Sequence, residues 1–171
     1  MAAFVDVSKA LSYPGQSYPL RAEATLEEME VLRDPVRFSN TCFEGEYLGT
    51  GKRVNLRGRV STQVHTRCAR CLEPVTYRLE AEMNVQFAGS EDPDDPDLYL
   101  FEGSKADLTD ALRDAVLLEM PYRALCREDC KGLCPKCGKN LNSGPCTCQE
   151  GDDVTNPFSA LKAFVHNNEE V

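Results

Sequence analysis

Two stretches of strict alternation dominate the chain. Val54, Leu56, Gly58, Val60, Thr62 and Val64 occupy one parity, and Arg53, Asn55, Arg57, Arg59, Ser61, Gln63 and His65 the other. The pattern resumes with Val75, Tyr77, Leu79, Ala81, Met83, Val85 and Phe87, set against Thr76, Arg78, Glu80, Glu82, Asn84 and Gln86. A period of two puts each set on its own face of a strand, so both stretches predict half-buried strands. Joined through a tip spanning His65 to Pro74, they predict a long antiparallel hairpin. A weaker strand from Val36 to Tyr47 is expected beside it, with Leu48-Gly49-Thr50-Gly51 as the turn.

Helical periodicity is confined to the C-terminal half. Leu108, Ala111, Leu112, Ala115 and Val116 recur at i, i+3 and i+4 behind an N-capping Asp107, and Pro121 closes the run. Asn156-Pro157 followed by Phe158, Leu161, Phe164 and Val165 predicts a last short helix. The N-terminal third holds turns at Tyr13-Pro14-Gly15 and Tyr18-Pro19, then a Glu-rich stretch, Arg21 to Arg33, read as an extended segment or short helix. The expected fold class is α+β: an antiparallel sheet with a long hairpin, packed helices and a C-terminal Cys-rich zinc-binding knuckle. The expected division is a sheet domain over 1–125, a metal-binding segment over 126–150, and a linker with a helix over 151–171.

Charge and composition narrow the possible functions. The 171 residues carry a formal net charge of -9, which argues against coating nucleic acid by bulk charge. No apolar run is long enough for a membrane span, and the first residues lack a secretory or transit pattern, so a cytoplasmic, reducing location is expected. Charge is nonetheless segregated. Lys52 to Arg70 contains six basic residues and no acid, while 91–97 is an acidic, proline-containing loop read as a solvated linker. Same-face strand residues lie about 6.6 Å apart, so Arg53, Arg57 and Arg59, with Arg67 and Arg70 at the turn, are candidate RNA-phosphate contacts. An ordinary charged strand face is the competing explanation. Glu80, Glu82 and the 91–97 loop could instead hold a basic protein.

The cysteines carry the chemistry. Of nine, six lie between 126 and 148. In a reducing compartment this density and spacing point to structural metal rather than disulfides. Cys68 and Cys71 sit at the hairpin tip. In Cys134-Pro135-Lys136-Cys137-Gly138, Pro135 pre-sets a turn and Gly138 can supply the positive φ of a metal knuckle. Cys126 and Cys130 would share a face of one helical turn. Cys146 and Cys148 can reach one metal if the backbone bends after Gly144-Pro145. Spacing alone leaves the partition open. The preferred one is Cys68, Cys71, Cys126 and Cys130 for one zinc and Cys134, Cys137, Cys146 and Cys148 for another, giving one or two structural ions. Cys42 is left over as a buried strand residue. Four-thiolate sites keep no open coordination position, and a Cys-x-x-Cys between antiparallel strands lacks the helix N-terminus of redox enzymes. No nucleophile or phosphate-loop motif is present, and His65 reads as an exposed strand residue. The expected protein is not an enzyme and takes no small-molecule substrate.

Arg67-Cys68-Ala69-Arg70-Cys71-Leu72-Glu73-Pro74 resembles the signature of the YceD family, the large ribosomal RNA subunit accumulation proteins. Asp129-Cys130-Lys131-Gly132-Leu133-Cys134-Pro135-Lys136-Cys137-Gly138, with Leu141-Asn142, Cys146-Thr147-Cys148 and the tail Asn156-Pro157-Phe158-Ser159-Ala160-Leu161, is similar to it too. The resemblance implies a non-catalytic ribosome-biogenesis factor whose partner is large-subunit ribosomal RNA or a large-subunit ribosomal protein. Some members lack much of the second cysteine cluster, so the resemblance favours Cys68, Cys71 and a partner near 126–130 as the shared site. A zinc-ribbon adaptor that joins a protein complex without touching RNA is the alternative.

Overall fold

The computed structural model describes residues 3–31 and 33–148. The predicted final helix and the tail motif lie outside these residues. By compactness the chain divides into two units, Met1–Cys130 and Lys131–Val171.

The first unit is built on three long strands, β4 (Asp34–Gly49), β5 (Arg53–Arg67) and β6 (Pro74–Ala88), preceded by β1 (Phe4–Asp6), α1 (Ser8–Ser12), β2 (Ser17–Ala24) and β3 (Met29–Val31). After β6 come β7 (Tyr99–Glu102), β8 (Lys105–Asp107) and α2 (Thr109–Glu119). The alternation did its expected work in β5 and β6, which pair without interruption from Arg53↔Ala88 to Arg67↔Pro74. Val54, Leu56, Val60 and Val64 are buried with Leu79, Ala81, Met83 and Phe87, while the other parity faces outward. β4 pairs with β5 along its length, broken by a bulge between Ser39 and Cys42, where Asn40 takes φ 54°. Cys42 follows that bulge and is half-buried rather than buried.

The α+β expectation is corrected. The fold is mostly β, 48% strand against about 13% helix, in a nearly closed, barrel-like sheet. The strand order is β1-β8-β7-β6-β5-β4-β2, with β3 paired to β4. The N-terminal third makes the difference, because β2 pairs antiparallel with β4 from Ser17↔Leu48 to Ala24↔Thr41. Pro19, a turn signal in the sequence, is accommodated because β2 is an edge strand. At the opposite edge, β1 pairs with β8. β1 and β2 face each other across the gap, lining one groove with Tyr47, whose hydroxyl donates to the Asp6 carbonyl at 3.4 Å.

Closing a sheet requires curvature, and glycine supplies it here. Gly45 and Gly58 are direct partners on β4 and β5. A Cβ on Gly58 would lie 2.4 Å from the Glu44 carbonyl oxygen and 2.8 Å from the Phe43 ring. The pair thus lets two backbones and an aromatic ring meet where side chains could not. α2 behaves as its stripe predicted: Leu108, Ala111, Leu112 and Val116 are buried, and the helix packs on β6 and β5. Its N-cap is Leu108 rather than the expected Asp107, whose carboxylate nonetheless accepts from the Thr109 N–H at 2.9 Å. No helix among the described residues is long and apolar enough to cross a membrane.

Candidate metal centres

The hairpin tip folds as a tight knuckle. The Cys68 N–H donates to the Glu73 carbonyl at 2.8 Å, and the Leu72 N–H to the Cys68 carbonyl at 2.9 Å. This turn drives Leu72 to φ 62°, an unusual conformation for a leucine. The segment 121–130 comes back against the tip. Ala69 N–H bonds the Ala124 carbonyl at 2.8 Å, and the Arg70 guanidinium donates to the carbonyls of Glu128 (3.1 Å) and Cys130 (2.9 Å). Cys126 and Cys130 lie on irregular backbone rather than the expected helical turn, with the Cys130 N–H closing on the Arg127 carbonyl at 3.2 Å. The side chains converge all the same. Cys68 Sγ lies 3.8 Å from Cys130 Sγ, and Cys71 Sγ lies 3.7 Å from Cys126 Sγ.

The second unit folds a smaller version. An antiparallel bridge joins Leu133 to Asn140, and the Gly138 N–H donates to the Cys134 carbonyl at 2.8 Å. Gly138 takes φ 72°, the role its position predicted. A short 3-10 turn, Leu141–Ser143, is capped by the Asn140 side chain, which accepts from the Asn142 N–H at 3.0 Å. Asn142 Oδ1 in turn accepts from the Lys131 N–H at 2.9 Å. The chain bends at Thr147 and so turns Cys146 and Cys148 towards the knuckle. Cys146 Sγ sits 3.5 Å from Cys134 Sγ.

In each quartet, Cys68/Cys71/Cys126/Cys130 and Cys134/Cys137/Cys146/Cys148, all sulfurs lie within 4.8 Å of one another. Four thiolates at about 2.3 Å from one ion, at tetrahedral angles, stand about 3.8 Å apart. The observed separations fit that tetrahedron and are far too long for disulfides. Both quartets follow the preferred partition.

The electrostatics also suit a cation. Burial raises the Cys68 thiol, but the backbone N–H groups of Arg70, Cys126 and Cys71 outweigh it and bring it down to about 6. Cys134 is drawn down to about 6, chiefly by the N–H groups of Cys137 and Lys136. Cys126 is pushed up to about 12 by burial and then by its neighbouring thiols; Cys148 is pushed to about 12 by Cys137, burial and Cys134. One thiolate is welcomed in each quartet and the next is resisted, since like charges crowd one site. A divalent ion would relieve that conflict.

The candidate RNA-contacting arginines are not equivalent. Arg53 bonds Asp92 at 2.6 Å and Asp95 at 2.8 Å, which ties the 91–97 loop to β5, so the loop is not a purely solvated linker. Arg57 bonds Glu46 and Arg59 lies 3.7 Å from Glu80. Arg70 is turned to the carbonyls beside the first quartet. Arg67 is exposed and has no charged partner among the described residues. His65 is half-buried rather than exposed, with Nε2 2.7 Å from Ser39 Oγ and Nδ1 3.0 Å from Thr76 Oγ1. Sequence reasoning overlooked Leu72 and the carbonyl-binding role of Arg70. A leucine directly after Cys-x-x-Cys was the available signal for the first.

The model of the large ribosomal RNA subunit accumulation protein YceD matches residues 56–165. The chain belongs to the YceD family. An uncharacterised protein of Mycobacterium bovis is 36% identical over 97 residues, covering 54% of this chain and 47% of that one. The Arabidopsis thaliana protein named large ribosomal RNA subunit accumulation protein YCED homolog 1, chloroplastic, is 37% identical over 70 residues, 40% of this chain and 22% of its own. An uncharacterised Bacillus subtilis protein, YlbN, is 28% identical over 131 residues, covering 74% and 76%. The chain spans about half the length of the mycobacterial relatives it matches. No solved structure matches it.

Proposed function

We propose that this YceD-family chain is a non-enzymatic, cytoplasmic ribosome-biogenesis factor that supports accumulation of large-subunit ribosomal RNA and carries two structural zinc ions. The names of the plant relatives support the first part. The observation that carries the second is the closure of both cysteine quartets at tetrahedral spacing. All-sulfur tetrahedra favour zinc or iron–sulfur chemistry, and zinc fits a scaffolding role because it has no redox activity. Four protein ligands leave no position for an activated water, which supports the non-enzymatic reading.

Eight thiolates and two zinc ions add a net four negative charges to the formal -9, so contact with RNA must be local. The carboxylate partners of Arg53, Arg57 and Arg59 favour the second reading, a zinc-ribbon adaptor that joins a protein complex without touching RNA. Depletion in the native cell is the test. The proposed function expects the ratio of large- to small-subunit ribosomal RNA to fall and to recover on re-expression; an unchanged ratio would refute it. Elemental analysis should return two zinc ions per purified chain, and a metal-free, fully thiol-reactive folded protein would refute the metal assignment.

A further inference from the structure

We propose that the groove beside the hairpin tip, where Arg67 and Leu72 meet Arg37 and His65, is the contact for a single-stranded stretch of RNA. This rests on the ribosomal-RNA reading above and names the surface for it. The groove has a volume of about 700 Å3 and runs between the base of the tip and the start of β4.

Charge singles this groove out. Along the outer sheet face, Arg21, Arg53, Arg57 and Arg78 each have a carboxylate at 3.0 Å or closer, and Arg59 has one at 3.7 Å. A phosphate would have to displace those partners. In the groove, Arg67 has none among the described residues, and Arg37 only a loose one, 3.9 Å from the exposed Glu28. Glu28 is also the only acid among the groove's lining residues. Anions therefore meet less competition here than on the arginine row predicted from the strand pattern.

Shape and polarity then select the kind of anion. The knuckle holds Leu72 at φ 62° and leaves it 54% exposed, a combination that glycine or asparagine would satisfy more easily. An apolar side chain is held out in water at a conformational cost, next to an arginine with no charged partner among the described residues. Pro74 and Val75 extend the apolar wall, and the His65 ring, fixed between Ser39 and Thr76, adds a flat face. Unpaired bases pack on such surfaces while their phosphates take arginine. A-form duplex buries its base faces and would use only the charges.

Fluorescence anisotropy of the full, zinc-loaded chain with a short labelled single-stranded RNA, across a salt series, tests this. Arg67→Gln should weaken binding by about tenfold and lower the salt slope by about 0.7. Leu72→Gly keeps the positive φ and should weaken binding by about fivefold with the slope unchanged. Arg57→Gln should bind like the parent, duplex RNA should compete poorly, and zinc content should stay constant throughout. The proposal is overturned if both groove variants bind like the parent, or if Arg57→Gln is the damaging change. It is also overturned if a ribonuclease-resistant protein partner is what Leu72→Gly loses. A parent chain that binds no RNA overturns the groove assignment while leaving the proposed function standing, provided depletion still lowers large-subunit RNA. Unchanged RNA on depletion overturns the proposed function whatever the groove binds.

Discussion

Strands β4 to β6 bury Phe43, Leu56, Val60, Val64, Met83 and Phe87 in one core, whereas residues 131–148 bury only Gly132 and Cys134. Both regions carry a Cys-x-x-Cys knuckle and a converging quartet of sulfurs. What differs is what would remain without metal. The sheet would keep its apolar core and lose a clasp at one hairpin end. The second region would keep a bridge, a capped turn and a few hydrogen bonds, too little to offset the entropy of some eighteen ordered residues at roughly 1–2 kcal/mol each. With zinc in both, as proposed, similar ligand sets would do different work: the first would fasten an already stable element, and in the second metal binding would itself be the folding free energy.

The sharpest way to break this comparison is chelation. Stripping metal, or Cys134→Ser, should abolish amide protection across 131–148 and leave β4 to β6 protected. Retained protection in 131–148 would show that the segment has another source of stability. The converse perturbation is Gly58→Val, whose side chain must enter space held by the Glu44 carbonyl and the Phe43 ring. We expect a loss of about 1–3 kcal/mol in sheet stability by denaturant titration, with zinc at the second quartet retained.

A smaller effect should separate the two quartets. Arg70→Gln removes the guanidinium that holds the Glu128 and Cys130 carbonyls against the tip. Zinc affinity of the first site should fall by about tenfold, as for other groups that orient metal ligands, and that of the second should not change. Competition with a chromophoric chelator would read the two sites separately, and an equal loss at both would contradict the assignment.

The smallest effect concerns what the quartets share. Cys68 and Cys134 are held at about 6, so near pH 7 each is already largely ionised before metal arrives. These are depressed values, so ionisation is present above them and is lost as pH falls through about 6. Zinc uptake near neutral pH should release fewer than four protons per ion, and the number should rise as pH is lowered towards 5. A constant four in weakly buffered pH-indicator titrations would refute the depressed thiols.

Much of this was legible in the sequence, and the reasons are local. The β5–β6 hairpin could be read because alternation needs only near neighbours to be informative. Gly138 was likewise readable from turn chemistry, and the bend that Cys146 and Cys148 need falls at Thr147, between them. The quartets could be proposed because thiolate pairs have few other uses at such density, yet their partition depended on residues far apart in sequence. The barrel-like closure was not legible. β2 carries only a modest alternation of Tyr18, Leu20, Ala22 and Ala24, interrupted by Pro19, and it becomes a strand because β4 presents an open edge for it.

The sequence by itself determined the elements whose identity rests on periodicity: two long strands, one amphipathic helix and two cysteine knuckles. Tertiary structure alone decided which charges are available. Arg53, Arg57, Arg59 and Arg67 look alike along the chain, but strand register and the returning 91–97 loop give the first three carboxylate partners and leave Arg67 without one among the described residues. Charge pairing depends on distance in space, and on a sheet that distance is set by the partner strand, which no local pattern encodes.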